Sequence, residues 1–553
     1  MAQDATIDPL GALREAVEGA AAALDGAPPA SPTLERPPKP ELGDYSTNAA
    51  MLLAPALGSS PREIAERLRE ELAERLGPSA ERVEVAGPGF LNVFLSDRWH
   101  REAAGQVLAA GERFGAGGPT EPERILVEFV SANPTGPLTA AGGRHAAFGD
   151  ALARLLAKAG HSVEREYLLN DVGGQVEQFA RSIAARMRGE EPPEDGYTGA
   201  YVVELAEQLR AEGVQADDLD ALARRGTAAM RDRIEATLER YGVRFDTWAS
   251  QRDLEEAGNV AETIDLLRQG GHVYEQDGAT WLRTSEFGDD KDRVLIRADG
   301  EPTYFAADIA YHRDKVDRGA ERLIDVWGAD HHGYMTRMRA ALAWIGADPD
   351  RFEALIMQFV HLVEGVERAQ MSKRKGEFVT LDELLDDIGV DATRFFMLQR
   401  SHDTTIDLDL DLARRKSQDN PVYYVQYAHA RIASILRKAA EEGAGPGGDE
   451  AIAAGAAADE ALGAVAEPTE RALVRRLLEL PGEVRSSAER RAPHRLCAYA
   501  TATAADFHAF YRDCRVVGAE PGLQEARLAL CVATRRTIAT TLGLLGVSAP
   551  ERM

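Results

Sequence analysis

The stretch Ser131-Ala-Asn-Pro-Thr-Gly-Pro-Leu-Thr-Ala-Ala-Gly-Gly-Arg-His145 constrains this chain more than any other. In front of it stands Ile125-Leu-Val-Glu-Phe-Val130, an apolar run of strand length rich in β-branched residues. Behind it, Phe148, Leu152, Leu155 and Leu156 recur at helical spacing until Gly160 offers a stop. Ser162-Val-Glu-Arg-Glu-Tyr-Leu-Leu169 reads as the next strand. This is the order of one βαβ unit of a parallel sheet, with its loop at the carboxyl end of the first strand, where such sheets bind ligands. Glycines permit close backbone approach, and the N-terminus of the following helix favours phosphate. A crossover that binds nothing has the same outline, so the loop alone leaves both readings open.

The wording of the loop resembles the signature of class I aminoacyl-tRNA synthetases. It is closest to Pro-Asn-Pro-Thr-Gly-Pro-Leu-His-Val-Gly-His-Gly-Arg of the arginyl-tRNA synthetase family. The frame agrees at Asn133-Pro-Thr-Gly-Pro-Leu138 and at Gly143-Arg144, while Thr139 and Gly142 stand where the family has its two histidines. Gly43-Asp-Tyr45 and Gly87-Pro-Gly-Phe-Leu-Asn92 resemble family wording ahead of the loop. Tyr197-Thr-Gly-Ala-Tyr201, Phe245-Asp-Thr-Trp248, Gly288-Asp-Asp-Lys-Asp-Arg293, Tyr304-Phe-Ala-Ala-Asp-Ile-Ala-Tyr311 and Gly328-Ala-Asp-His-His-Gly-Tyr334 do so behind it. Met371-Ser-Lys-Arg-Lys-Gly376 resembles the second class I signature, Lys-Met-Ser-Lys, with Gln370 at its first lysine. The resemblance runs in family order along nearly the whole chain.

A chain of 553 residues exceeds one hydrophobic core, so three or four domains are expected. The formal net charge of -27 argues only weakly against RNA, because an acidic protein can carry a local basic stripe. Cys497, Cys514 and Cys531 have no zinc-ligand spacing and no even count for disulfides, so they read as buried thiols in a reducing compartment. No basic-then-apolar leader opens the chain, and no uninterrupted apolar stretch reads as a bilayer span. A cytoplasmic protein is expected.

Along the chain, residues 1–118 read as a small α+β module, 119–418 as the parallel-sheet unit with a charged helical insertion near 178–270, and 419–553 as helices. Ala279–Arg283, Arg293–Arg297 and Arg322–Trp327 read as returning strands. Gly443-Ala-Gly-Pro-Gly-Gly448 fits a dinucleotide-binding pattern but follows a helix, so it reads as a linker. The expected fold is α/β: a Rossmann-type catalytic core, a small α+β N-terminal domain and an all-α C-terminal bundle. By resemblance, these are the tRNA-elbow, class I catalytic and anticodon-binding domains.

The resemblance implies ATP-dependent activation of L-arginine to arginyl-adenylate, then transfer to tRNA(Arg). Such chemistry needs in-line positioning and charge neutralisation, and no protein nucleophile. Lys373 is the candidate cation for the departing pyrophosphate. Thr139, Gly142 and Arg144 are candidate substitutes for the missing imidazoles. A guanidinium offers donors only, so its site needs carboxylates and other acceptors. Asp308 and Tyr304 lie one helical turn apart and by resemblance read that group, with Glu128 and Asn133 holding the α-amino end and His331 completing the arginine site. Pro137, Leu138, Gly143, Gly328, Asp330, Met371, Ser372 and Lys373 are the expected ATP contacts. Phe90 and Asn92 at the elbow, and Tyr427 and Arg431 at the anticodon, are the expected RNA contacts, through stacking and hydrogen bonds to unstacked bases. Arg471, Arg475 and Arg476 form a second basic cluster. Mg2+ is expected to come with ATP, with no tightly bound cofactor or metal site, and the protein is expected to be a monomer. The rival reading is a catalytically impaired tRNA-binding relative, motivated by Thr139 and Gly142; a second rival is another class I synthetase.

Overall fold

The computed structural model describes residues 8–117, 121–329, 333–365, 367–368, 379–443, 450–453 and 467–553. The N-terminal module runs α1 (Pro9–Ala22), β1 (Leu34–Glu35), β2 (Tyr45–Thr47), α2 (Ala49–Leu57), α3 (Pro61–Leu76), β3 (Ala80–Ala86), β4 (Phe90–Leu95) and α4 (Asp97–Ala110). Its strands make one antiparallel sheet in the order β1-β2-β4-β3. Asp8 opens α1 by accepting from the Gly11 amide at 2.9 Å, ahead of a proline that needs no hydrogen-bond partner there.

The parallel-sheet unit begins with β5 (Arg124–Glu128), α5 (Ala140–Ala159) and β6 (Ser162–Leu169). Helices α6 (Gly174–Arg188), α7 (Ala200–Ala211) and α8 (Leu219–Arg240) follow, then β7 (Thr247–Ser250), α9 (Gln251–Glu256) and α10 (Asn259–Gln269). Next come β8 (Val273–Gln276), β9 (Ala279–Leu282), β10 (Arg293–Ile296), α11 (Tyr304–Asp317), β11 (Arg322–Gly328), α12 (Tyr334–Trp344) and β12 (Phe352–Met357). The unit closes with β13 (Val360–Glu364), β14 (Glu367–Arg368), α13 (Leu381–Leu398), β15 (Ile406–Asp409) and α14 (Leu410–Arg414).

The main sheet has the order β12-β11-β5-β6-β7 and is parallel throughout. Two sequence expectations change here. Residues 247–250 are the edge strand of this sheet, so the helical insertion does not run unbroken to 270. β9 and β10 leave the main sheet for a separate antiparallel sheet with β8, because a strand pattern carries no information about its partner.

Side chains on the main sheet alternate between two cores. Ile125, Val127 and Phe129 join the cluster that covers α5, whereas Leu126 and Leu323 join the cluster under α10, α11 and α12. Helices α15 (Pro421–Glu441), α16 (Pro468–Leu478), α17 (Leu480–Glu489), α18 (His494–Asp513) and α19 (Leu523–Leu545) form the C-terminal part. Its core is continuous with that of α5, α13 and the N-terminal module. Helix α19 is long and apolar enough to cross a membrane by length and composition, but Arg535 and Arg536 interrupt it and 72% of its apolar window is buried inside the fold.

The second basic cluster is spent on the same docking. Arg471 pairs with Asp97, Arg475 with Asp44 and Arg476 with Asp506 and Glu479, so these guanidiniums hold elements together instead of facing outward. The glycine-rich stretch at 444–448 lies outside the described residues.

Candidate active site

The strand order reverses between β5 and β11, which makes a crevice beyond their carboxyl ends. Glu128, the last residue of β5, stands directly opposite Asp325 of β11. Both share parity with the residues that face α11 (Leu126 and Leu323), so two carboxylates point at that helix.

The chain leaves β5 through Val130 and Ser131, whose φ angles are +69° and +39°. A β-branched residue in the left-handed region is an outlier that costs of order 1–3 kcal/mol and is held only by its surroundings. Ser131 supplies part of that hold: its hydroxyl donates to Glu128 Oε1 at 2.8 Å and accepts from the Leu168 amide at 3.1 Å. Hydroxyls of Tyr167 and Tyr201 donate to the carbonyls of Ala132 and Thr135 at 2.9 and 2.8 Å. Asn133 Nδ2 donates to Gln175 Oε1 at 2.6 Å, tying the loop to the start of α6.

Further along the loop, several expected phosphate contacts have other work. Thr139 is the N-cap of α5, and its Oγ1 accepts from the Gly142 amide at 3.3 Å while its carbonyl accepts from the Gly143 amide at 3.1 Å. Both amides are therefore spent within the helix start. Gly143 lets Leu381 pack closely, since a Cβ there would stand 2.7 Å from Leu381 Cδ1. Leu138 is a buried core residue whose carbonyl accepts from the Leu381 amide at 2.8 Å. Pro137 beside it is half-buried.

Arg144 departs furthest from its expected role. Its buried guanidinium donates to the carbonyls of Gln358, Phe359, Ser401 and Thr404 at 2.7, 3.3, 2.9 and 2.8 Å. Burial pulls its pKa down to about 10 against the pull of Asp403. With its donors committed to carbonyls, Arg144 ties α5 to the segments that lead into β13 and β15 and has none left for a phosphate.

One face of α11 carries Tyr304, Asp308, His312 and Lys315, and it runs from solvent to core: Tyr304 is 61% exposed and Lys315 0%. Gly173, whose φ of +88° favours glycine, lets the Tyr304 hydroxyl come close, to 2.5 Å from where a Cβ would stand. The Asp308 carboxylate accepts from the Tyr334 hydroxyl. Burial raises the Asp308 pKa, the Tyr334 bond and His312 oppose the rise, and the charges of Glu128 and Asp325 add to it.

Lys315 Nζ donates to Glu128 Oε2 at 2.6 Å and to Asp325 Oδ1 at 3.0 Å. His312 Nε2 lies 2.8 Å from Asp325 Oδ2, and its Nδ1 lies 2.8 Å from the Asp308 carbonyl. Burial alone would raise the Asp325 pKa, but Lys315 and His312 hold it below the usual range. A cavity of about 490 Å3 opens beside Tyr304, lined among others by Gly173, Glu177, Glu255, Arg297 and Glu301.

Glu128, Asn133, Tyr304 and Asp308 are thus gathered around the crevice. Gly328 ends β11 there, with open space where a side chain would be. Asp330, His331, Met371, Ser372 and Lys373 lie outside the described residues. Sequence patterns do not single out His312, Lys315, Asp325 or Tyr334, although the 304–308–312–315 spacing and a carboxylate inside an apolar strand were signals to follow.

Of the expected RNA contacts, Phe90 is 39% exposed at the β3–β4 turn, but Asn92 is 6% exposed inside the sheet and is not presented to a base. Tyr427 is 39% exposed and stacks on Tyr423 with ring centroids 6.4 Å apart. Arg431 donates to the Tyr511 hydroxyl at 3.1 Å.

Three family models match in the order of the elements described. They are the arginyl tRNA synthetase N terminal domain at residues 11–95, the catalytic domain of tRNA synthetases class I (R) at 204–412, and the DALR anticodon binding domain at 425–553. The chain is 44% identical to the arginine–tRNA ligase of Carboxydothermus hydrogenoformans over 94% of each chain. It is 48% identical to that of Frankia alni over 96% of each. The Thermus thermophilus arginyl-tRNA synthetase structure superposes with a TM-score of 0.77 at 29% identity, covering 98% of this chain and 100% of that one. The impaired-relative reading finds no support in these likenesses, and this chain belongs to the arginyl-tRNA synthetase family of class I enzymes.

Proposed function

We propose that this protein is an arginine–tRNA ligase that activates L-arginine with ATP and transfers it to tRNA(Arg). An arginine carboxylate oxygen attacks the α-phosphorus, and the bond to pyrophosphate breaks. A ribose hydroxyl at the 3′ end of the tRNA then attacks the acyl carbon, and AMP leaves. The observation that carries this reading is the half-buried carboxyl of Asp308 on α11, one turn from Tyr304 and within electrostatic reach of Glu128 at the switch point of the sheet. The Asp308 carboxylate and the Tyr304 oxygen offer acceptors to a donor-only guanidinium, and Glu128 offers a carboxylate to the α-amino end. A neutral or shorter analogue would forgo the charge-assisted contact to Asp308, which supports discrimination without a separate editing site.

Asn133 and His331 complete the arginine contacts in this reading. Pro137, Gly328, Asp330, Met371 and Ser372 line the ATP side, and Lys373 neutralises charge on the departing pyrophosphate. Thr139 keeps its hydroxyl proton, since its oxygen is only an acceptor in the cap, and that proton remains to be donated. Magnesium arrives on the ATP phosphates as part of the substrate. Phe90 on the N-terminal module is the candidate contact for the tRNA elbow, and Tyr427 with Arg431 for the anticodon. A cytoplasmic, single-chain enzyme is the expected form, and the three free, buried cysteines agree with a reducing compartment.

ATP–pyrophosphate exchange with arginine, with and without tRNA, tests the activation step, and charging of tRNA(Arg) tests the whole. Absence of arginyl-tRNA under conditions where the protein binds both tRNA and ATP would overturn the reading.

A further inference from the structure

We propose that Lys315 is a positioning residue for arginine recognition, setting the spacing between the carboxylates of Glu128 and Asp308. It touches no substrate, because its side chain is fully buried. A buried ammonium is costly unless it is paired and hydrogen-bonded, and here its partners are Glu128 Oε2 at 2.6 Å, Asp325 Oδ1 at 3.0 Å and the face of the Tyr311 ring at 4.3 Å.

The geometry joins three pieces of the crevice. Lys315 lies on α11, two turns beyond Asp308 on the same face, and His312 between them binds Asp325 through Nε2 and the Asp308 carbonyl through Nδ1. Glu128 reaches Lys315 with one oxygen and the Ser131 hydroxyl with the other. Ser131 sits in the left-handed elbow that leads to Asn133. Lys315 therefore clamps the helix that carries Asp308 to the strand that carries Glu128. It also balances charge where Glu128 and Asp325 stand opposite each other across the β5–β11 pair. Without it the two carboxylates repel, and Glu128 loses the partner that fixes its rotamer.

The inference rests on the reading of Glu128 as an arginine contact, and three variants separate the two claims. Pyrophosphate exchange is measured for Lys315→Met, Glu128→Gln and the double variant, with thermal melting and tRNA binding as folding controls. Lys315→Met is expected to lower kcat/KM for arginine at least about tenfold while the KM for ATP stays within about twofold. In the Glu128→Gln background the same substitution is expected to add less than about threefold, because its effect passes through Glu128. Equal costs in both backgrounds, or unchanged arginine kinetics in folded Lys315→Met, would overturn the positioning role. Should Lys315→Met alone fail to fold, the double variant, which removes one charge of each sign, carries the test against Glu128→Gln, and a further tenfold loss there overturns the proposal. Glu128→Gln with unaltered arginine kinetics would overturn the contact reading itself.

Discussion

Between β5, β11 and α11 the interior holds Glu128, Asp325, His312 and Lys315, whereas between α18 and α19 it holds Phe507, Phe510, Leu528, Cys531 and Leu542. Both regions bury polar atoms; the helical part satisfies its buried threonines locally and adds one buried charge pair across elements, Arg527 with Glu470 at 2.6 Å. In the helical part, Thr503, Thr534 and Thr541 hydroxyls donate to the carbonyls of Tyr499, Leu530 and Thr537 one turn back, at 2.8, 2.7 and 2.8 Å. In the catalytic unit, Lys315 and Glu128 are 187 positions apart in sequence. Satisfaction of the threonines within their own helices asks nothing of neighbouring elements. Satisfaction across elements leaves charged groups fixed at the end of a sheet, where a cationic substrate can use them. The two regions are nevertheless not independent, because Arg394 on α13 donates to the Leu545 carbonyl at 2.9 Å and also to the Asp150 carboxylate on α5.

That seam allows the sharpest attack on the contrast. Arg394→Met is expected to cost about 3–5 kcal/mol in chemical denaturation, toward the lower end because Arg154 still pairs with Asp150 at 2.8 Å. A loss under about 1 kcal/mol would mean that the helical part folds apart from the sheet. Such a result would mean that residues 419–553 can be removed without unfolding the core, which the shared apolar cluster speaks against.

Within the catalytic unit, Asp308→Asn should lower kcat/KM for arginine by about ten- to a hundredfold, or ~1.5–3 kcal/mol, with ATP and tRNA parameters little changed. Equal losses for arginine and ATP would remove Asp308 from guanidinium recognition. The complementary change in the bundle is Tyr427→Ala. Losing one exposed stacking ring should raise the KM for tRNA about fivefold, near ~1 kcal/mol, and leave tRNA-free pyrophosphate exchange untouched.

The smallest expected effect is a pH dependence. Burial raises the Asp308 pKa, and only the ionised form pairs with a guanidinium, so the KM for arginine should climb on acidification. The climb should begin above the range of an ordinary aspartate, about 3.9, and be no steeper than about tenfold per pH unit. Asp308→Asn should flatten it. A tRNA KM that climbed in parallel would assign the titration elsewhere.

Much of this contrast was legible before any tertiary structure. Ser162–Leu169 reads as a strand, and Leu169 ends it in the fold. Gly160 reads as the stop of α5 and ends it in the fold, whereas Thr139, read as a phosphate contact, is its N-cap. Tyr304 and Asp308 were recognisable from family wording and helical spacing. Less legible were roles that depend on what stands opposite. Arg144 lies in a signature frame and reads as a phosphate donor until its four carbonyl acceptors are seen. Arg471 and Arg475 read as an RNA-facing cluster until their carboxylate partners on the N-terminal module appear.

Local sequence determined the elements, the faces they bury and the family to which the chain belongs, because periodicity, caps and turn residues act within a few positions of one another. Tertiary structure decided which charges meet. Asp325 becomes a neighbour of Glu128 only through the parallel pairing of β5 with β11, and Lys315 reaches both only because α11 covers that face. The cost of burying a charge, and its recovery by a partner, depends on distance in space, and spacing along the chain does not encode that distance.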